Sequence, residues 1–278
     1  MKKKLLITMG CSYTEGVGCY DVDKMSKSVH YGFLPREEEI IQRKNFHKLG
    51  WPNRLGKKLG YDKVINLGLG GSSTSGQVKQ FFEKHVDRDL SEWDVLIVWL
   101  LSEPSRISFY KNGCIENFCP SDSNTMYVEY LKWINQTNYD PDVDLLLENI
   151  FHIKIIEQLC ESRGYSLLLT PAYEPELFIK IQSLHKSKYY LNKTPKSLLH
   201  SLMKSGNYKC NIPKGDGHLT PDGYEIFASD LYNEIKLNHP HLVSTPKNKI
   251  IWQWDGAPID RYGKFPMILN QIHTDIFK

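Results

Sequence analysis

Apolar residues along this chain gather in two kinds of run. Four are short and nearly unbroken, at about 4–9 (KLLITM), 63–67 (KVINL), 94–101 (DVLIVWLL) and 166–170 (SLLLT). An unbroken run predicts a strand covered on both faces, because a half-exposed strand alternates apolar with polar positions. Longer runs between them have helical spacing, at 51–60, 75–86 and above all 142–163. There Leu145, Leu146, Ile150, Ile153, Ile156, Leu159 and Cys160 recur at three and four before Gly164. A further helix is predicted over 221–237, since Thr220 suits the cap, Pro221 the first helical position and Asp222 the positive end. Strands alternating with helices predict an α/β fold: a three-layer α/β/α sandwich around a buried parallel sheet.

Three stretches break the pattern, near 19–45, 106–141 and 171–215. Each would leave the edge of the sheet where open α/β folds bind ligands. They read either as substrate-shaping loops or as passive surface insertions. The main domain is expected over 1–239. Residues 240–278 carry Trp252, Trp254, Tyr262, Phe265 and Phe277 without a clear period, and read as an aromatic extension packed on the domain or on a partner. Trp252 and Trp254 would then either offer a sugar-stacking platform or pack against the core.

Composition narrows the function classes. With 278 residues, 41% hydrophobic and 24% charged, the chain has ordinary globular composition and length for one main core. Its 35 basic and 32 acidic residues are scattered, which argues against a nucleic-acid partner. The 6 cysteines show neither a Cys-x-x-Cys pair nor a zinc-like grouping with histidine, so they read as reduced thiols, with no metal and no cofactor implied. The apolar run behind Lys2-Lys3-Lys4 is shorter than the roughly 7–15 residues of an export signal. No stretch approaches the ~20 apolar residues of a membrane span. The expectation is a soluble chain, cytoplasmic where synthesised, with no membrane partner and an open oligomeric state.

The candidate chemistry begins at Ser12, which follows the first strand at a corner between Gly10 and Gly16. A serine hydroxyl needs a base to take its proton and donors to hold the charge that develops on the attacked carbonyl. His218, just ahead of the last predicted helix, is the candidate base, and Asp216 the carboxylate that would orient it. The run Gly68-Leu69-Gly70-Gly71-Ser72-Ser73 follows the second strand and offers backbone N–H groups without obstructing side chains, so Gly70 and Gly71 are candidate oxyanion residues.

These blocks, in this order, resemble the SGNH (GDSL-type) hydrolases over roughly residues 4–237, which implies a flavodoxin-like parallel sheet of about five strands. Gly10-Cys11-Ser12 matches the first block, with Cys11 where the family usually has aspartate. Asn66-Leu67-Gly68-Leu69-Gly70-Gly71 matches the second, where the resemblance places the oxyanion glycine at Gly71. Asp216-Gly217-His218 matches the fifth. In the third block Leu101-Ser102-Glu103-Pro104 puts Glu103 in the place of the family's oxyanion asparagine, so Ser102 and Glu103 complete the candidate site. Glu103 could equally pair with Arg106. The family's aspartate stands three residues before the histidine, a place held here by Gly215.

The resemblance implies a serine esterase acting on an acyl or acetyl ester, on a small molecule or a glycan, through an acyl-enzyme and without a metal. Two alternatives stay open: a catalytically weakened relative with a carbohydrate-binding or structural role, and an O-acyltransferase. A core of this kind with a Cys-Ser-Tyr-Thr turn also resembles the SGNH-like proteins of bacteriophage genomes, which would suit a virion.

Overall fold

The structure, a computed structural model, describes residues 2–19, 45–104, 106–111, 114–118, 132, 136, 141–172, 176–191, 197–205 and 218–254. β1 (Lys3–Met9) leads into the one-turn helix α1 (Ser12–Glu15). A helical turn at 45–49 and α2 (Trp51–Leu59) precede β2 (Lys63–Asn66), followed by α3 (Thr74–His85) and β3 (Trp93–Leu101). An antiparallel hairpin, β4 (Ile107–Lys111) and β5 (Cys114–Phe118), stands apart from the main sheet. Then come α4 (Pro141–Arg163), β6 (Ser166–Pro171), α5 (Glu176–Leu184), α6 (Leu198–Lys204), α7 (Pro221–Asn238) and β7 (Ile251–Trp254).

All four sequence-predicted strands and all four helices form within a residue or two of their expected bounds. The reason is visible in the packing, where successive strand residues fall on opposite faces of the sheet. Leu6, Val64, Leu96, Val98 and Leu168 pack against Trp51 and Leu55 of α2 and Phe227 and Leu231 of α7. Leu5, Ile7, Ile65, Ile97 and Trp99 pack on the other side against Val78 and Phe81 of α3 and Ile153 and Ile156 of α4. Both faces being covered, neither set of positions is polar, and the strands read as continuous apolar runs.

The main sheet has five parallel strands in the order β6-β3-β1-β2-β7. Its first four in chain order follow the flavodoxin arrangement, in which the fifth would stand beside the fourth. Here the fifth strand joins the opposite edge. β7 pairs with β2, from Lys63 against Ile251 to Asn66 against Trp254, while the position beside β6 holds a short bridge from Leu169 to Tyr190. A segment read from the sequence as part of an aperiodic extension thus completes the sheet. Trp252 lies on that edge strand with 39% of its surface exposed, between the buried and platform roles expected for it.

This order sets β1 in the middle of the sheet, so the chain leaves β1, β2 and β3 side by side at one edge. The turns carrying Ser12, Gly68–Gly71 and Ser102–Glu103 therefore meet, as expected at the carboxyl ends of parallel strands. The 171–215 stretch contributes two short helices, α5 and α6, that its sequence did not announce. Among the described residues, no helix is long and apolar enough to cross a membrane.

Candidate active site

Gly10 ends β1 with φ 152°, a conformation rarely open to other residues, and a Cβ there would overlap Thr14 Oγ1 and come within 2.9 Å of the Leu100 oxygen. The sharp turn lets Cys11 act as N-cap of α1, with its oxygen accepting from Thr14 N and Glu15 N at 2.9 Å each. Ser12 thus sits in the first position of a rigid single turn. Cys11 is buried, so the residue standing in the usual aspartate place serves packing.

His218 comes from the far end of the sequence. Thr220 caps α7, its Oγ1 accepting from Gly223 N at 3.2 Å with Pro221 at the helix start, and this fixes the loop that carries the imidazole. His218 Nε2 lies 2.8 Å from Ser12 Oγ. Tyr13 packs beside it, the two ring centroids 5.0 Å apart at an interplanar angle of 40°. With the ring proton on Nδ1, Nε2 accepts the serine proton, as a general base requires. Asp216, the expected orienting carboxylate, lies outside the described residues.

The glycine loop is anchored N–H by N–H. Gly68 N donates to Asn66 Oδ1 at 2.8 Å, Leu69 N to Gly10 O at 3.1 Å and Ser72 N to Leu69 O at 3.2 Å. Gly70 N donates to Glu15 Oε2 at 2.7 Å. Gly70, expected from the sequence to face a developing oxyanion, has its N–H engaged by a side chain instead. Among the described residues from Gly68 to Ser72, Gly71 keeps the one N–H with no assigned acceptor. It is exposed and has φ 77°.

Ser102 also takes a different place from the expected one. It is buried, and its Oγ accepts from Gln77 Nε2. The same amide reaches Ser72 Oγ at 3.1 Å, while Gln77 Oε1 accepts from Trp99 Nε1 at 2.6 Å. Ser72 Oγ in turn lies 2.8 Å from Leu69 O and 3.3 Å from Gly10 O. Ser102 therefore belongs to a buried network that holds the glycine loop against the end of β1. Glu103 is half-buried at the end of β3, its backbone oxygen accepting from Arg106 N at 3.1 Å. Asn149 of α4 steadies that turn by donating to Pro104 O at 3.2 Å.

Two residues of the site escaped the sequence reading. Asn66 is buried and bridges the loops. Glu15, 1% exposed, closes on Gly70. Asn66 opens the second block and Glu15 stands between Ser12 and Gly16, yet no spacing rule distinguishes a buried polar hub from a turn residue. Among the described residues no group of three or more His, Cys, Asp or Glu is placed to hold a metal ion.

No protein-family model matches the sequence, and no curated protein matches it. Among solved structures, the chain is similar to a lipolytic protein of the G-D-S-L family from Desulfitobacterium hafniense DCB-2, at 12% identity and TM-score 0.44, covering 84% of this chain and 99% of that one. It is also similar to a lipase/acylhydrolase from Enterococcus faecalis, at 16% identity and TM-score 0.39, covering 88% and 100%. Both scores are below 0.5, and the functional reading stands on the geometry of the site.

Proposed function

We propose that this chain is a serine hydrolase of SGNH (GDSL) type that cleaves an acyl or acetyl ester through an acyl-enzyme. The observation that carries the reading is the 2.8 Å approach of His218 Nε2 to Ser12 Oγ at the carboxyl edge of a parallel sheet. In this reading His218 takes the hydroxyl proton as Ser12 Oγ attacks the carbonyl carbon, and Gly71 N–H faces the oxyanion that forms. The alcohol leaves with the proton from His218, and water, activated by the same imidazole, releases the acid. Asp216 remains the proposed orienting carboxylate. A small-molecule or glycan ester is the proposed substrate.

Incubation with p-nitrophenyl acetate and with a fluorophosphonate tests this. The expected result is turnover together with a covalent mass increase on the Ser12 peptide, both absent in Ser12→Ala. Turnover undiminished in that variant would sink the mechanism.

One observation favours a second reading, a weakened catalyst with a ligand-binding role. Glu103 stands where the resemblance expects an oxyanion-donating asparagine. Loss of one such donor costs about 2.7–4 kcal/mol of transition-state stabilisation. Slow or absent turnover alongside intact fluorophosphonate labelling would favour this second reading. Product that forms only when an acceptor alcohol is supplied would point to acyl transfer.

A further inference from the structure

Glu15 is a carboxyl group carried inside the fold, 1% exposed, three residues beyond Ser12 on the same helical turn. Burial of such a group without a compensating partner is costly, and its Oε2 is met by Gly70 N at 2.7 Å. The surrounding backbone leaves the pair little room to move apart. Gly68 packs against the Thr14–Glu15 backbone so closely that a Cβ there would overlap both residues. A Cβ on Gly70 would lie 3.1 Å from Glu15 Oε2 and 3.8 Å from Ser12 Cβ. Gly70 therefore lies close to both the carboxyl group and the serine.

The consequence concerns the next peptide. With the N–H groups of Gly68, Leu69, Gly70 and Ser72 each bound to an acceptor, the loop presents a single N–H, that of Gly71. Were Gly70 N–H unheld, the Gly70–Gly71 peptides could turn, since glycine restricts neither dihedral. Two competing donors would then sample the space before Ser12.

We propose that Glu15 is a positioning residue that fixes Gly70 and thereby selects Gly71 N–H as the oxyanion donor. The proposal rests on the hydrolase reading above and adds to it a residue outside the nucleophile, base and donor set. In this proposal Glu15 acts through its bond to Gly70 N–H. Its effect reaches the reaction through one peptide, so it acts on the transition state rather than on substrate affinity.

The experiment compares wild type, S12A, E15A and E15Q by kcat and KM on p-nitrophenyl acetate, together with the amide resonance of Gly70 in glycine-labelled protein. E15A is expected to lower kcat by about 10²-fold with KM within about twofold, as for a reacting group misplaced by an ångström. E15Q keeps an acceptor oxygen at similar reach and is expected to recover kcat to within about tenfold of wild type. The Gly70 amide proton is expected at low field in wild type and in E15Q, both of which offer it an acceptor oxygen, and shifted upfield in E15A, which offers none. A Gly70 resonance unmoved in E15A, or E15A kinetics equal to wild type while S12A is inactive, would overturn the role of Glu15 alone. Activity that survives S12A would instead overturn the hydrolase reading, and the amide shift would still report on the Glu15–Gly70 bond. If E15A does not fold, E15L, which fills the space without an acceptor oxygen, supplies both readouts.

Discussion

Asn66 donates from Nδ2 to the Thr14 oxygen at 2.8 Å and so ties the end of β2 to the helical turn that carries Ser12. Its Oδ1 accepts from Gly68 N at 2.8 Å, and Nδ2 also lies 3.4 Å from His47 Nδ1. One buried amide thus sets the distance between the nucleophile turn and the glycine loop. Asn66→Ala leaves a buried N–H and a buried oxygen without partners and is expected to cost about 2–4 kcal/mol in urea unfolding. Asn66→Asp restores the acceptor for Gly68 but sets an acceptor against the Thr14 oxygen, so it is expected to be no better than the alanine. A stable, fully active Asn66→Asp protein would contradict the bridging role.

Gly68 and Gly164 separate two reasons for having glycine. At Gly68 a Cβ would overlap the backbone of Thr14 and Glu15, which has no flexible end to swing away. Gly68→Ala is expected to cost about 3 kcal/mol or more and to displace the turn beneath Ser12. Gly164 ends α4 with φ 65° and nothing within 4 Å of an added Cβ. Gly164→Ala is expected to cost only about 1–2 kcal/mol, the penalty of the left-handed backbone, with ester hydrolysis unchanged. Equal losses in denaturant unfolding would show that close approach at Gly68 is not what selects glycine there.

The sheet's central strands were legible because full burial on both faces removes the polar positions that would blur them, as in Leu5–Met9 and Val95–Leu101. The helix starts were legible where a side chain does a recognisable job, as Thr220 does for α7. β7 was not, because Ile251 and Trp252 lie on an edge strand and are 64% and 39% exposed, so no apolar periodicity is imposed. In the site, a serine after a strand or a histidine in a loop has ordinary reasons to occur, and Ser12 and His218 came forward only through the order of the blocks taken together; the structure sets them 2.8 Å apart. The residues alone offered both Gly70 and Gly71 and only the resemblance favoured Gly71, since the physical difference between them is the Glu15 carboxyl, whose burial depends on the packing of α1 against the loop. Ser102 was misplaced for a similar reason. Only the alternation of β3 and the reach of Gln77 turn it inward.

Two thiols test the packing of opposite faces. Burial pushes the Cys19 thiol up to about 12 against a smaller opposing effect of Arg54. Burial also pushes Cys160 up to about 12, with Glu157 and Glu161 adding to it. Because the thiolate is the reactive form, only about 10⁻⁴ of either is available at pH 8. Iodoacetamide at that pH is expected to leave both unlabelled in the folded protein and to modify both in urea, read by peptide mass spectrometry. Rapid labelling of Cys19 under native conditions would show that the face beneath α2 and α7 opens readily.

Asp62 joins three segments at the other edge of the sheet. Its Oδ2 accepts from Lys4 N at 2.8 Å, its Oδ1 pairs with Lys247 Nζ, and its backbone oxygen accepts from Ile251 N at 3.0 Å. The Lys247 hydrogen bond foremost, and the Lys4 N–H after it, hold the carboxyl below the usual carboxylate range. A folded-state pKa below the unfolded one means that the fold favours the ionised form. The stabilisation is therefore complete above about pH 4, the unfolded value, and is lost as pH falls through the lower folded value. Asp62→Asn is expected to lower stability at pH 7, and the gap between variant and wild type to shrink below about pH 4. Because the pair is partly exposed, the gap at pH 7 is also expected to narrow in about 1 M salt. Urea unfolding at the two pH values reads this directly, and a gap that widens in acid would mean that the ionised carboxyl is not what fastens the segment leading to β7.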